Sequence, residues 1–223
     1  MTRNKLNGSG RAASERTVSR LLLYRKRLSG SSEDSKRFIY SYELGALCGV
    51  TSAQVRRDLM LVGCAGSPNR GYDRRELLGS IEEFLYRPGV QNVALVGLGN
   101  LGRAIMSFLA GRQSRLAIAA AFDTDPAKTG CVTFGCRCYP VADLRTVAVA
   151  AGIEVAILTV PAAAAQATAD LLVEAGMRGI LNFAPVTLHV PDHVFVEDID
   201  LAMSLEKVAF FARRGQQMER KHA

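Results

Sequence analysis

The residues best suited to chemistry in this chain are three glycines and one carboxylate. Gly97-Leu98-Gly99-Asn100-Leu101-Gly102 has the spacing G-x-G-x-x-G, directly after the apolar run Val93-Ala94-Leu95-Val96 and before a helical stretch, Arg103 to Ala110. In such a turn the first glycine permits the sharp reversal, the second lets a pyrophosphate approach the backbone, and the third lets helix and strand pack closely. The helix N-terminus adds N–H donors and the positive end of its dipole. Asp123 closes the next apolar run, Leu116 to Phe122, about 20 residues past the last glycine, where a carboxylate accepts hydrogen bonds from an adenosine ribose. Thr124 and Asp125 follow it, in place of an arginine that could receive a 2′-phosphate. The site is therefore expected to take NAD(H) in preference to NADP(H).

A second concentration of polar side chains lies upstream. Thr51 with Gln54 three residues later predicts a capping box and a helix through Leu59. Val55, Leu59 and Val62 should face inward, leaving Ser52, Gln54, Arg56 and Arg57 outward near the N-terminal half. That is the arrangement of a helix-turn-helix recognition helix, whose early residues reach base edges or phosphates in the major groove. A preceding helix is expected from Ser41 as N-cap to about Cys48, with Gly49-Val50 as the turn. Thr17 to Leu28 reads as a basic amphipathic helix, with Val18, Leu21, Leu22 and Leu28 on one face and Arg20, Arg25, Lys26 and Arg27 mostly on the others. Gly63 to Tyr72 is rich in turn formers. It is either a wing carrying Asn69 and Arg70 toward DNA, with Tyr72 packed beneath, or an ordinary surface loop.

The elements that must position these residues follow from the pattern of the chain. Helix at Val141 to Ala150, strand at Glu154 to Val160, helix at Ala162 to Glu174 and strand at Arg178 to Phe183 continue the β-α alternation of a doubly wound, Rossmann-type parallel sheet. Thr159-Val160-Pro161 and Asn182-Phe183-Ala184-Pro185 then fall at the carboxyl edge where such sheets bind ligands, near the nicotinamide end. Charge divides along the chain in the same way. Residues 1–90 hold 16 Lys and Arg against 9 Asp and Glu, whereas residues 91–223 hold 12 of each. A basic segment beside a neutral one fits a polyanion partner for the first alone.

Composition narrows the remaining classes. Five cysteines, of which only Cys136 and Cys138 are closely spaced, argue against a disulfide framework and suit small apolar fillers, with a redox pair as the alternative. The three histidines have no ligand spacing, so no metal is expected. Pro161, Gln166 and Asp170 interrupt the longest apolar stretch, and the first residues lack an apolar signal core, so a cytoplasmic protein without a membrane span is expected.

Taken together the segments resemble the Rex family of redox-sensing bacterial transcriptional repressors. The resemblance is carried by Ser19-Arg20-Leu21, Ser52-Ala53-Gln54-Val55-Arg56-Arg57-Asp58-Leu59, the Val96 to Gly102 turn, Phe122-Asp123-Thr124-Asp125-Pro126-Ala127-Lys128, Leu158-Thr159-Val160-Pro161 and Gly179 to Pro185. It implies a homodimer whose C-terminal helix, about Leu201 to Arg214 and opened by Asp200, crosses to the partner. It further implies binding to palindromic operators when NADH is scarce and release when NADH binds. Lys128 and Asp200 enter the expected nucleotide site on this ground. Lys26, Phe108 and Leu201 depart from the family's usual arginine, tyrosine and aromatic residue, and Ser67-Pro68-Asn69-Arg70 replaces a more Gly/Arg-rich wing. The expected organisation is a tail at 1–16, a winged-helix domain at 17–88, an NAD(H)-binding domain at 89–198 and a swapped helix and tail at 199–223. No catalytic residues are expected. The competing readings are a CoA-binding regulator and an NAD-dependent oxidoreductase.

Overall fold

The computed structural model describes residues 13–30, 36–67, 69–110 and 115–222, with side chains as far as Arg213 in the last helix. Of the tail expected at 1–16, residues 1–12 lie outside the described residues, as do 31–35 and Pro68, whereas Glu15 and Arg16 already belong to the first helix. The chain divides into two units, Met1–Gly89 and Val90–Ala223.

The first unit runs α1 (Glu15–Ser29), β1 (Phe38–Ile39), α2 (Ser41–Cys48), α3 (Ser52–Leu61), β2 (Tyr72–Asp73) and α4 (Arg74–Leu85). Ser14 Oγ accepts from Thr17 N at 3.3 Å, so α1 starts two residues before Thr17. Its inward side chains are Leu21, Tyr24 and Leu28, whereas Leu22, assigned inward from the sequence, is 40% exposed. Tyr24 takes the inward place because its hydroxyl donates to the Asp58 carboxylate at 2.9 Å, which removes the cost of burying a phenol. Ser41 proves to be the first residue of α2 rather than its cap. Tyr40 precedes the helix, and its N–H donates to Glu43 Oε2 at 2.8 Å.

Gly49, at φ 67°, makes the left-handed stop that lets α3 follow closely. Thr51 Oγ1 accepts from Gln54 N at 3.2 Å, but the Gln54 side chain turns to Asp58 instead of back to Thr51. The expected capping box is thus half formed. β1 and β2 pair antiparallel, and Asp73 ends the ribbon by accepting from Arg75 N at 3.0 Å and Glu76 N at 3.4 Å at the head of α4. Val55 and Leu59 of α3 are fully buried against Leu21, Tyr24, Leu44, Leu77 and Ile81. At about 1.5–3 kcal/mol per large aliphatic side chain, this burial fixes which face of α3 remains outside.

The second unit is a seven-stranded sheet in the order β5-β6-β4-β3-β7-β8-β9. Its strands are β3 (Gln91–Val96), β4 (Leu116–Asp123), β5 (Val132–Thr133), β6 (Cys136–Pro140), β7 (Val155–Leu158), β8 (Gly179–Asn182) and β9 (Phe195–Asp198). All neighbours are parallel except β5 and β6, which form a hairpin through Phe134 (φ 49°) and Gly135 (φ 79°). α5 (Asn100–Leu109) covers one face, with Ile105, Met106 and Leu109 against Val93, Leu95, Ala121 and Ile157. A 3-10 turn at Val141–Asp143, α6 (Leu144–Ala150) and α7 (Ala162–Glu174) cover the other, against Ala94, Val96, Phe122, Ala156 and Leu158. Alternate residues of β3 thus serve opposite layers, the period-2 pattern of a strand buried on both sides.

α8 (Leu201–His222) runs beyond Arg214, where the sequence reading ended it, and all its side chains from Leu201 to Arg213 are exposed. Among them Leu201, Met203, Leu205, Val208, Phe210 and Phe211 show 58–69% of their surface to solvent. Among the described residues no helix is long and apolar enough to cross a membrane.

Candidate nucleotide cleft and recognition helix

β4 lies on one side of β3 and β7 on the other, so the loops leaving the carboxyl ends of β3 and β7 part and open a crevice. A cavity of about 480 Å³ occupies it, lined by Gly97, Gly99, Asn100, Leu101, Asp123, Thr124, Lys128, Thr159, Val160 and Pro161 among the expected residues. Asp125, Val141, Ala164 and Thr168 also line it, unanticipated because they enter from the loop after β4, from the 3-10 turn at Val141 and from the first two turns of α7.

The glycines are held for distinguishable reasons. Gly97 sits at φ 99°, where an added Cβ would lie 2.7 Å from the Thr159 carbonyl oxygen. Thr159 Oγ1 donates to Gly97 O and Val96 O, at 2.8 and 3.0 Å, tying the two loops together. Gly102, already inside α5, has the Gly97 carbonyl where its Cβ would be. Gly99 has nothing within 4 Å of that position, so its missing side chain leaves open space at the head of α5.

Asp123 is the organised acceptor of the cleft. Leu98 N donates to its Oδ2 at 2.6 Å, Asp125 N to its Oδ1 at 2.9 Å, and Lys128 Nζ lies 3.1 Å from Oδ2. Burial pushes this carboxyl up, but the two backbone N–H groups and then Lys128 outweigh it and hold it below the usual aspartate range. Lys128 is raised in turn by its bond to Asp123. A carboxylate offers about four lone-pair directions, so Asp123 retains capacity for a ribose hydroxyl. The open backbone at Gly99 and an ionised acceptor at the end of β4 fit an adenine dinucleotide.

Other expected residues stand elsewhere. Leu98 is buried and acts through its N–H. Asn182 is fully buried, donating Nδ2 to Val186 O (2.9 Å) and Asp198 Oδ1 (2.7 Å) and accepting Ala184 N (2.9 Å), so its amide holds the chain after β8 and does not line the cavity. Ala184 is buried, Phe183 half-buried on the α5 side and Pro185 exposed, and none of them lines the cavity. Asp200 caps α8, its Oδ1 accepting from Met203 N at 2.7 Å. Cys136 and Cys138 are buried in the α5 layer, and burial pushes the Cys136 thiol up to about 11 and Cys138 up as well, so both are protonated core groups at neutral pH. Among the described residues no group of three His, Cys, Asp or Glu could hold a metal ion.

In the first unit Ser52 is half-buried, and Arg56 and Arg57 are exposed on α3, Arg56 donating to Ser41 Oγ at 3.2 Å. Arg20 does not stand alone on α1. Its Nε and Nη2 donate to the two oxygens of Asp58 at 2.6 and 2.7 Å, and Nη2 also reaches Thr17 Oγ1 at 3.1 Å. Gln54 Nε2 donates to Asp58 Oδ1 at 2.8 Å, and Arg57 Nη2 donates to Gln54 Oε1 at 3.0 Å. Burial pushes the Asp58 carboxyl up, yet bonds from Arg20, Gln54 and Tyr24 hold it below its ordinary value. The signal for Asp58 was a carboxylate on the same helical side as Val55 and Leu59, where an unpaired charge would be costly. The wing is closed by Ser67 and Gly71, each donating its N–H to the other's carbonyl at 2.9 and 2.8 Å. Tyr40 Oη donates to Asn69 O at 2.9 Å, Arg70 is exposed, and the Tyr72 ring occupies the space a side chain on Gly66 would need.

Comparison with known proteins divides along the same line. Residues 13–59 match the family model described as "Putative DNA-binding protein N-terminus", and residues 90–186 match "CoA binding domain". The redox-sensing transcriptional repressor Rex of Lactobacillus acidophilus is 39% identical over 195 residues, covering 87% of this chain and 92% of the relative. The Rex of Listeria welshimeri is 40% identical, covering 87% and 91%. The crystal structure of RSP in complex with β-NAD+ and operator DNA superposes with a TM-score of 0.84 at 30% identity, over 94% of this chain and 97% of that one. RSP in complex with β-NADH gives 0.81 at 30% identity, over 94% and 99%. With this identity sustained across both units, the chain belongs to the Rex family of redox-sensing transcriptional repressors.

Proposed function

We propose that this chain is a cytoplasmic, homodimeric repressor that binds palindromic operator DNA when NADH is low and leaves it when NADH binds. The observation that carries the reading is an ionised, backbone-held Asp123 facing an unobstructed Gly99 in a chain that also carries an arginine-bearing recognition helix. Asp123, with Thr124 and Lys128 beside it, would hold the adenosine ribose, and the backbone of Gly97 to Gly102 at the head of α5 would hold the pyrophosphate. Thr159, Val160 and Pro161 would pass the nicotinamide toward the Asn182 to Pro185 segment and toward Asp200 and Leu201. The reduced ring is neutral and enters apolar surroundings that oppose the cationic oxidised ring, because burying an unpaired charge is costly. This difference in affinity between two states is what lets NADH shift the population. On DNA, Gln54, Arg56 and Arg57 would serve the major groove, with Ser52 and Arg20 beside them and Asn69 and Arg70 on the wing. The relatives are named as repressors, which favours a regulator over a dehydrogenase.

CoA is the second candidate ligand, favoured by the family model matched at residues 90–186. Its 3′-phosphate would meet the Asp123 carboxylate, whose ionised state repels it. A gel-shift titration of a palindromic duplex with NADH, NAD+ and acyl-CoA separates these readings. Release by NADH at concentrations where NAD+ leaves the complex intact is the expected result; equal release by both would end the redox-sensing reading, and release by acyl-CoA alone would replace it.

A further inference from the structure

We propose that Asp58 sets which base the recognition helix reads, by holding the Gln54 amide in one orientation and, through it, the Arg57 fork. The inference rests on α3 being the DNA-reading helix, as proposed above. An ionised carboxylate only accepts hydrogen bonds, so the Gln54 group 2.8 Å from Asp58 Oδ1 is the amide NH2. The carbonyl Oε1 is then turned to Arg57, whose Nη2 donates to it at 3.0 Å.

Glutamine reads adenine by using both ends of its amide at once, donating to N7 and accepting from the exocyclic amine. Here a carboxylate holds one end and a guanidinium the other, so adenine reading by Gln54 would sacrifice both bonds. Arg57 is exposed, and its guanidinium is steadied by Gln54, which suits the bidentate fork that recognises guanine O6 and N7. Asp58 itself is 3% exposed and held from α1 by both Arg20 donors and by Tyr24. It is a positioning residue, a fixed reference beneath the helix that transmits the orientation of α1 to two side chains on the outer surface. Gln54 becomes the holder and Arg57 the reader.

Selection from a randomised duplex pool with the full-length protein, in the absence of NADH, reads the base preference at every position of a half-site. The expected pattern is one guanine position whose preference falls about tenfold in Arg57→Lys, and at least about threefold at that same position in Gln54→Ala and Asp58→Asn. Gln54→Ala cuts the link at the half-buried side chain above Asp58 and carries the test if Asp58→Asn does not fold. An unchanged guanine preference in Gln54→Ala, a lost adenine preference with guanine retained, or an affinity loss spread evenly over all positions would each overturn the assignment of Asp58. Failure of the wild-type protein to enrich any sequence would instead refute the DNA-reading function on which the assignment stands.

Discussion

Two glycines five positions or fewer apart can share a motif and yet answer to different forces. Gly99 opens onto the cleft, so Gly99→Ala adds a methyl group to open space in the free protein but to the face a pyrophosphate would approach. The variant should melt within a few degrees of the wild type and lose at least about tenfold in NADH affinity, about 1.4 kcal/mol. Calorimetry and thermal melting check the pair of expectations, and unaltered NADH affinity would remove Gly99 from the binding face. Gly102 is the contrast, because its methyl group would strike the Gly97 carbonyl and the damage would fall on folding. The glycines and Asp123 were legible in the sequence because their duties follow from short spacings along the chain. Asn182 was not, since its amide is committed to Val186, Asp198 and Ala184, and such partners emerge only when β8 and β9 lie side by side. A polar residue at a strand end looks the same in sequence whether it faces a ligand or a neighbouring loop.

At the scale of elements, the tie between α1 and α3 is an ion pair with one nearly buried end, Asp58, and one partly exposed end, Arg20. Removing one partner of such a pair costs roughly 3–5 kcal/mol when it is buried, and exposure of Arg20 places Asp58→Asn toward the lower end. The folded carboxyl is held below its ordinary value, against about 3.9 for an unfolded aspartate. Its stabilisation is therefore complete above about pH 4–5 and is lost as pH falls toward the folded value, where the carboxylate protonates in the native state too. Urea unfolding of the full chain at several pH values should show the gap between wild type and Asp58→Asn narrowing on acidification below about pH 5. A gap that stays constant to pH 3 would mean that the carboxylate charge does not link the helices. α5 and α7 were readable because apolar periodicity over ten or more residues survives local noise, and α7 in particular has the bounds expected for it, Ala162–Glu174, whereas the helix expected from Val141 begins only at Leu144, after a 3-10 turn. β5, β6 and β9 went unseen, being two to five residues long and lying toward the margins of the sheet. In β6 the alternation of buried Cys136 and Cys138 with exposed Arg137 was present, but cysteines drew attention as thiols rather than as strand residues. Tyr24 displaced Leu22 from the inner face of α1 for a related reason, since hydropathy alone undervalues a phenol whose hydroxyl has a buried acceptor.

For the molecule as a whole, the decisive element is α8. With 3.6 residues per turn, Leu201, Leu205 and Val208 share one side of the helix, while Met203 and Phe210 stand on the opposite one. An apolar stripe on one side suits a helix lying on a single surface; apolar residues on both sides suit one inserted between two. All five are exposed in the single chain, which argues for a second copy as the body that encloses them. The apolar residues of this segment are plain in the sequence, but no pattern within one chain names the surface that meets them. If the proposed dimer forms through α8, Leu205→Lys with Phe210→Lys, which places charge on both sides of the helix, should leave the protein a monomer in sedimentation where the wild type is a dimer, with the helices and sheet of each unit intact by circular dichroism. A palindrome has two half-sites, and in the proposed dimer the second would be bound at the effective concentration set by the first, so separation should weaken operator binding by about 10²–10⁴-fold. Binding to an isolated half-site should change far less, because α3 and its arginines are untouched. If the double variant sediments as a dimer, or if the monomer still binds the full palindrome as tightly as the wild type, then α8 is not what joins two recognition helices to one operator.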